Sequence, residues 1–187
     1  SSVPPVWRMA FRAAKPPAKR TLRRVFCGSA PLSRHLWDGI GEWTGAAEVM
    51  NAYGITETGS WLAGSSMSGA AAEDGLVGVG WGSVLRVLPR GDTAVPPAFQ
   101  QECRPDTEGF VWVKTPGLRQ VVSQGWFSTG DIGVLDGRGW LYLRGRQREE
   151  INKGGMKVFP ADIDAVAERF PATADVCSFA VPDELYG

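Results

Sequence analysis

The spacing of apolar side chains divides the chain into three zones. In the first, Val6 to Ala14 has helical composition, and the two prolines of "KPPAKR" interrupt it. "LRRVFCGSAPLS" then reads as a short strand running into a glycine-serine turn, and Ser33 is placed to cap a helix over "RHLWDGIGEWTG". A second strand, "AEVMNAY", delivers the chain into "NAYGITETGSWLAG", whose glycines and β-branched residues disfavour a helix and predict a loop. Strand, turn, helix, strand and loop in that order predict the end of an α/β layer.

From about Leu76 to Arg146 the period shortens to that of strands. The runs "SVLRVL", "FVWVK", "RQVVS", "IGVLD" and "WLYLRG" are separated by glycine, proline and aspartate, the pattern of a twisted sheet or partial barrel. The third zone predicts a strand, a glycine pair, a helix starting after Pro160 and ending near Phe170, and a further strand over Val176 to Val181: the beginning of an α+β unit.

Composition narrows the function classes. The chain has 187 residues, 43% of them hydrophobic, enough to bury a core, and a formal net charge of +0. A protein that coats nucleic acid would carry a basic excess. Ser1 to Arg24 holds Arg8, Arg12, Lys15, Lys19, Arg20, Arg23 and Arg24 without an acidic residue, which reads as a solvated helix face and linker rather than a targeting peptide. No stretch has the length and apolarity of a bilayer span. Cys27, Cys103 and Cys177 are far apart and lack metal-ligand spacing, so free thiols in a reducing, cytoplasmic compartment are expected.

Several catalytic signatures are excluded by spacing. "GLVGVGWGSVLRVL" leads into a strand, whereas a dinucleotide fingerprint must open a helix; its glycines read as turn residues. "GSSMSG" is not a nucleophile elbow, and His35, the single histidine, reads as a surface residue of its helix. Hydroxyls, a carboxylate and an aromatic face within "YGITE" suit a nucleotide and its magnesium ion, although an ordinary polar turn would contain similar residues.

Three separated motifs decide between these readings: "YGITE" at Tyr53 to Glu57, "STGD" at Ser128 to Asp131, and "GRQREEINKGGMKVFPADID" from Gly145. With "CGSAPLS" upstream, they resemble, in order and spacing, the adenylate-forming superfamily of acyl- and aryl-CoA ligases, peptide-synthetase adenylation domains and luciferases. "YGITE" and "GGMKVFPADID" look more like the acyl-CoA ligases. The fold so implied is α/β with a β-rich partial barrel and the start of a small α+β domain. Residues 1–147 would belong to the large domain (1–75 its α/β part, 76–147 its β-rich part), and residues 148–187 would begin the small mobile one.

The resemblance also implies roles. Gly28, Ser29 and Ala30 would border the adenine and the acid, Tyr53 and Gly54 would lie against the base, and Thr56 would donate to the α-phosphate. Glu57 would hold magnesium, Asp131 would receive both ribose hydroxyls, and Arg146 would add a charged donor nearby. Arg148 would be the hinge between domains, and Gly154 and Gly155 would line a thiol tunnel; Asn152 stands where many relatives have lysine. Trp61, Leu62, Ala63 and Met67 either line an acid pocket or belong to the core. The implied reaction joins a carboxylic acid, ATP and coenzyme A. A carrier-protein thiol is the first alternative acceptor, and a non-catalytic nucleotide- or partner-binding module is the rival class. In that family a phosphate loop lies before the matching region and a bridging lysine after it, so the isolated chain is expected to be inactive.

Overall fold

The structure, a computed structural model, describes residues 1–65, 72–91, 100–118, 125–153 and 155–183. Helix α1 (Pro4–Ala13) starts on proline, whose fixed φ suits a first helical turn. Helix α2 (Arg34–Thr44) is capped as its sequence predicts: the Ser33 hydroxyl accepts from the Leu36 amide at 3.3 Å, and Gly45 closes the helix at φ 63°. Leu36, Trp37 and Ile40 face inward and pack with Val25 and Cys27 of strand β1 (Arg24–Gly28) and with Leu76.

One curled eight-stranded sheet carries the remaining core. Its order is β1-β2-β3-β4-β8-β7-β6-β5, with β2 (Glu48–Ile55), β3 (Ser60–Gly64), β4 (Leu76–Gly80), β5 (Val84–Leu88), β6 (Gly109–Lys114), β7 (Phe127–Leu135) and β8 (Leu141–Arg146). β1 and β2 run parallel, joined through α2, while the other neighbours are antiparallel. The second apolar cluster lies within the curl: Tyr53, Leu62, Ala63, Val77, Val87, Val111, Val113 and Leu141. The partial barrel expected for the second zone is therefore present, and hydrogen-bonded pairing runs through β3, β4 and β8 without a break.

Three expectations are corrected. The stretch from Asn51 to Gly64 is a hairpin rather than a loop: β2 runs to Ile55, a 3₁₀ turn covers Thr56–Thr58, and β3 returns from Ser60. Its glycines serve the hairpin, Gly59 turning the chain at φ 68° and Gly54 taking part in a register shift after Tyr53. In "GLVGVG", Gly78 is a strand residue at φ 110°, where a Cβ would stand 2.2 Å from the Gly64 carbonyl oxygen. Residues Val176 to Val181 pair with no strand among the described residues. Their composition favours a strand but supplies no partner for the backbone, and Phe179 and Val181 are exposed. The run "RQVVS" lies outside the described residues.

The third zone otherwise follows its pattern. A 3₁₀ turn (Gln147–Glu149) leads to a small hairpin of β9 (Ile151–Lys153) and β10 (Met156–Val158), then α3 (Pro160–Ala167). It is tied back by polar contacts. Glu168 accepts from Arg8 and from the Ser33 hydroxyl, and Arg169 reaches Asp74 at 2.7 Å. Arg90 bridges Glu108 and Glu150 and lies 5.9 Å from the Phe159 ring centroid.

Candidate active site

Tyr53, Asp131 and Arg146 come from three strands and meet. Asp131 and Arg146 are register partners on β7 and β8, which places the carboxylate opposite the guanidinium; Arg146 Nε lies 2.9 Å from Asp131 Oδ1. Tyr53 is on β2, with β3, β4 and β8 between it and β7 in the sheet order, and only the curl carries its hydroxyl to Asp131 Oδ2, to which it donates. The Arg146 guanidinium also donates to the Thr129 carbonyl at 3.1 Å. Thr129 braces the strand from inside: its hydroxyl donates to the Val111 carbonyl at 3.0 Å and accepts from the Asp131 amide at 3.1 Å.

Burial sets the electrostatics. Asp131 is only 4% exposed, and loss of hydration raises its pKa above the ordinary 3.8. The Tyr53 hydrogen bond, the Arg146 charge and Thr129 pull it back without cancelling that rise. Burial also pushes the Tyr53 phenol far up, reinforced by the neighbouring Asp131 charge, so Tyr53 is a neutral donor throughout the physiological range. A carboxylate has about four acceptor positions, of which these two partners take two. Asp131 thus retains capacity for further donors, provided that the half-exposed Arg146 gives way.

The other sequence-predicted residues surround this constellation unevenly. Thr56 and Glu57 sit exposed in the turn that follows Tyr53. Gly28 ends β1 against Ala52 of β2, where a Cβ would lie 2.1 Å from the Ala52 carbonyl oxygen, so no other residue fits there without moving the strands. Ser29 follows at φ 65°, a left-handed conformation uncommon outside glycine, and Ser29 and Ala30 are both exposed. Arg148 is in the 3₁₀ turn with its side chain 85% exposed and 3.8 Å from Glu149. Gly155 occupies the β9–β10 turn at φ 92°, and its amide donates to Asn152 Oδ1 at 3.0 Å, which gives Asn152 a turn-forming role. Gly154 and Met67 lie outside the described residues.

Leu62 and Ala63 are core residues, 1% and 0% exposed, whereas Trp61 is on the surface. His35 is exposed on α2, as expected. Cys27, Cys103 and Cys177 are unpaired, and burial pushes the Cys27 thiol up to about 11. Sequence reasoning missed Thr129, although the second letter of "STGD" signalled it, and it missed the Arg90 bridge, whose partners are remote in sequence.

This fold, with a buried carboxylate held between a tyrosine and an arginine and an exposed Thr-Glu turn following that tyrosine, is that of an adenylate-forming enzyme. The chain belongs to the AMP-binding enzyme family, whose profile matches residues 1–122. It is 34% identical over 177 residues to "Probable CoA ligase CCL9" of Humulus lupulus, covering 91% of this chain and 33% of that protein. It is 28% identical over 195 residues to the oxalate–CoA ligase of Saccharomyces cerevisiae, covering 100% and 35%. The crystal structure of ATP-bound MatB from Rhodopseudomonas palustris superposes with a TM-score of 0.74 at 26% identity, covering 91% of this chain and 35% of that one. The chain therefore spans about a third of the length of the relatives it matches. Among the described residues no helix is long and apolar enough to cross a membrane.

Proposed function

We propose that the complete protein is an ATP-dependent acid–thiol ligase and that this chain carries the ribose, adenine and α-phosphate side of its site. The carrying observation is the Tyr53–Asp131–Arg146 constellation, which holds a buried carboxylate with spare acceptor positions against the tyrosine three residues before the Thr56–Glu57 turn. Asp131 accepts the two ribose hydroxyls, a task for an acceptor-only group. Tyr53 offers an aromatic flank to the base while its hydroxyl orients Asp131, and Gly28, Ser29, Ala30 and Gly54 let backbone approach closely. Thr56 donates to the α-phosphate, and Arg146 adds positive charge.

The donor set fits magnesium only as a shared ion. Glu57 is one exposed hard-oxygen ligand, and no group of three possible metal ligands occurs among the described residues. That matches an ion held by one carboxylate together with substrate phosphates, where it would neutralise charge.

In the proposed reaction the acid's carboxylate oxygen attacks the α-phosphorus and pyrophosphate leaves; a thiolate then attacks the acyl carbonyl and AMP leaves. The CoA-ligase names of the relatives support coenzyme A rather than a carrier protein as the thiol. Residues 1–147 then belong to the large domain, divided near residue 75, and 148–187 open the mobile one. Arg148 is its hinge, and Gly154 and Gly155 border the thiol. Trp61 faces the acid. Unpaired thiols support a reducing compartment such as the cytoplasm. The test is pyrophosphate release by the complete protein with ATP, magnesium and an acid panel, followed by coenzyme A-dependent AMP release. Nucleotide binding without pyrophosphate release from any acid would overturn the ligase reading in favour of a binding module.

A further inference from the structure

We infer that a three-residue bulge in β7, closed by the Thr129 hydroxyl, sets the aim of the Asp131 carboxylate, and that Thr129 is a positioning residue for the nucleotide ribose. This rests on the ribose role proposed for Asp131. Along β7, regular pairing with β6 ends where Ser128 faces Trp112 and resumes where Ile132 faces Phe110. Between these pairs a single residue of β6, Val111, stands opposite Thr129, Gly130 and Asp131. Such an insertion interrupts the ladder and re-aims the side chains it carries. Gly130 takes the left-handed value φ 74°, and a Cβ there would meet nothing within 4 Å, so the requirement for glycine is conformational rather than steric.

The Thr129 side chain fills the gap in the ladder. A hydroxyl has one proton to give and two lone pairs to offer. Thr129 gives its proton to the Val111 carbonyl at 3.0 Å and accepts from the Asp131 amide at 3.1 Å, so both strands close on one oxygen. The Thr129 carbonyl in turn accepts from Arg146 at 3.1 Å. One residue therefore fixes the backbone that carries the carboxylate and a nitrogen of the guanidinium that faces it. On the β8 side Asp131 keeps its register partner, Arg146. The carboxylate is thus held at its root through Thr129 and at its tip by Tyr53 and Arg146. Thr129 and Asp131 are 6% and 4% exposed, and every partner named here is on β2, β6, β7 or β8, so the arrangement is internal to the sheet.

Two substitutions separate the hydroxyl from the bulk of the side chain. Thr129→Val keeps the shape but takes this donor from the Val111 carbonyl and this acceptor from the Asp131 amide, whereas Thr129→Ser keeps the hydroxyl and gives up a methyl group. Without the hydroxyl the bulge relaxes, and the carboxylate moves relative to Tyr53 and Arg146. Hydrogen bonds to the ribose hydroxyls then weaken, while contacts to base and phosphate, which come from other residues, are kept.

The experiment is calorimetric binding of AMP and of dideoxy-AMP, which lacks both ribose hydroxyls, to the complete protein, with a thermal melt of each variant. The wild type should prefer AMP about thirtyfold or more, and Asp131→Asn should lose most of that preference. Thr129→Val should cut the preference about fivefold or more by weakening AMP alone, and Thr129→Ser should keep it within about twofold. A threonine that served stability alone would lower the melt and weaken both nucleotides together. A preference unchanged in Thr129→Val while Asp131→Asn loses it would overturn the inference, and so would equal losses in Thr129→Val and Thr129→Ser. If Thr129→Val does not fold, Gly130→Ala takes its place: the Thr129 and Asp131 side chains remain and only the backbone conformation of the bulge is opposed, so the same loss is expected and its absence has the same meaning. A wild type indifferent to the ribose hydroxyls would remove the ribose role of Asp131, and this inference with it, leaving pyrophosphate release to decide the ligase reading.

Discussion

Replacing Asp131 by asparagine should separate function from stability. The carboxylate is 4% exposed and its pKa is raised by burial, so the fold holds its proton more tightly than the unfolded chain does. The stability so conferred is complete below the ordinary value of 3.8 and is lost as pH rises through the elevated native one; at neutral pH the ionised Asp131 is a net liability. In the Asp131→Asn variant the amide oxygen would still accept from Tyr53. The variant would forgo the Arg146 contact, which, with that side chain 42% exposed, contributes no more than about 1 kcal/mol. The new amide donors facing a guanidinium cost about 1 kcal/mol or slightly more. Removal of a buried charge offsets these, so unfolding free energy near neutral pH should move by less than about 1.5 kcal/mol, against about 3–5 kcal/mol for breaking a structural buried pair. Turnover should behave differently. An acceptor of two ribose hydroxyls is worth about 2–4 kcal/mol, or about one and a half to three decades in ATP-dependent kcat/KM. Urea unfolding of the wild type and Asp131→Asn at about pH 5 and about pH 8 gives the first quantity, with the wild type losing ground to the variant at the higher pH. Pyrophosphate release in the complete enzyme gives the second. A stability loss above about 3 kcal/mol with ATP kinetics unchanged would show that Asp131 is a structural lock and would sink the ribose assignment.

Gly28→Ala should lower stability by at least about 2 kcal/mol, because its Cβ meets the Ala52 carbonyl at 2.1 Å; an unchanged melt would contradict the β1–β2 geometry. Arg148→Ala should leave stability within about 0.5 kcal/mol, since its side chain is 85% exposed, whereas Arg148→Pro should slow one half-reaction more than the other; equal slowing would argue against a hinge. Glu168→Ala removes the acceptor shared by Arg8 and Ser33 and should make the chain beyond Arg148 more sensitive to protease, with cleavage mapped by mass; an unaltered digestion pattern would mean that these contacts do not hold the segment.

Local chemistry was the legible part of this molecule. Ser33 capped its helix because a cap needs only a hydroxyl three residues before a free amide, and the runs at Phe110 to Lys114 and Leu141 to Gly145 formed strands because period two is written within each run. The strand over "AEVMNAY" was read correctly, but the rest of the hairpin, Gly54 to Gly64, was misread because glycine content also signals loops, and only pairing with neighbouring strands keeps its backbone extended. Val176 to Val181 failed in the opposite sense, having strand composition without a neighbour among the described residues. At the site, "YGITE" and "STGD" marked Tyr53 and Asp131 separately. Their contact could not be read, because it depends on the accumulated curl of intervening strands rather than on either segment.

The strand order also sets a schedule for folding on the ribosome. β1 to β4 can associate as soon as Gly80 has emerged, but the free edge of β4 waits for Leu141 to Arg146. At about 5–20 residues per second that edge stays open for several seconds. Its sequence, Leu76 to Gly80, is apolar and carries no charged residue to discourage a stray strand. Closure therefore has high contact order and comes late, and β4 is the place where a nascent or slowly translated chain is most exposed to intermolecular pairing.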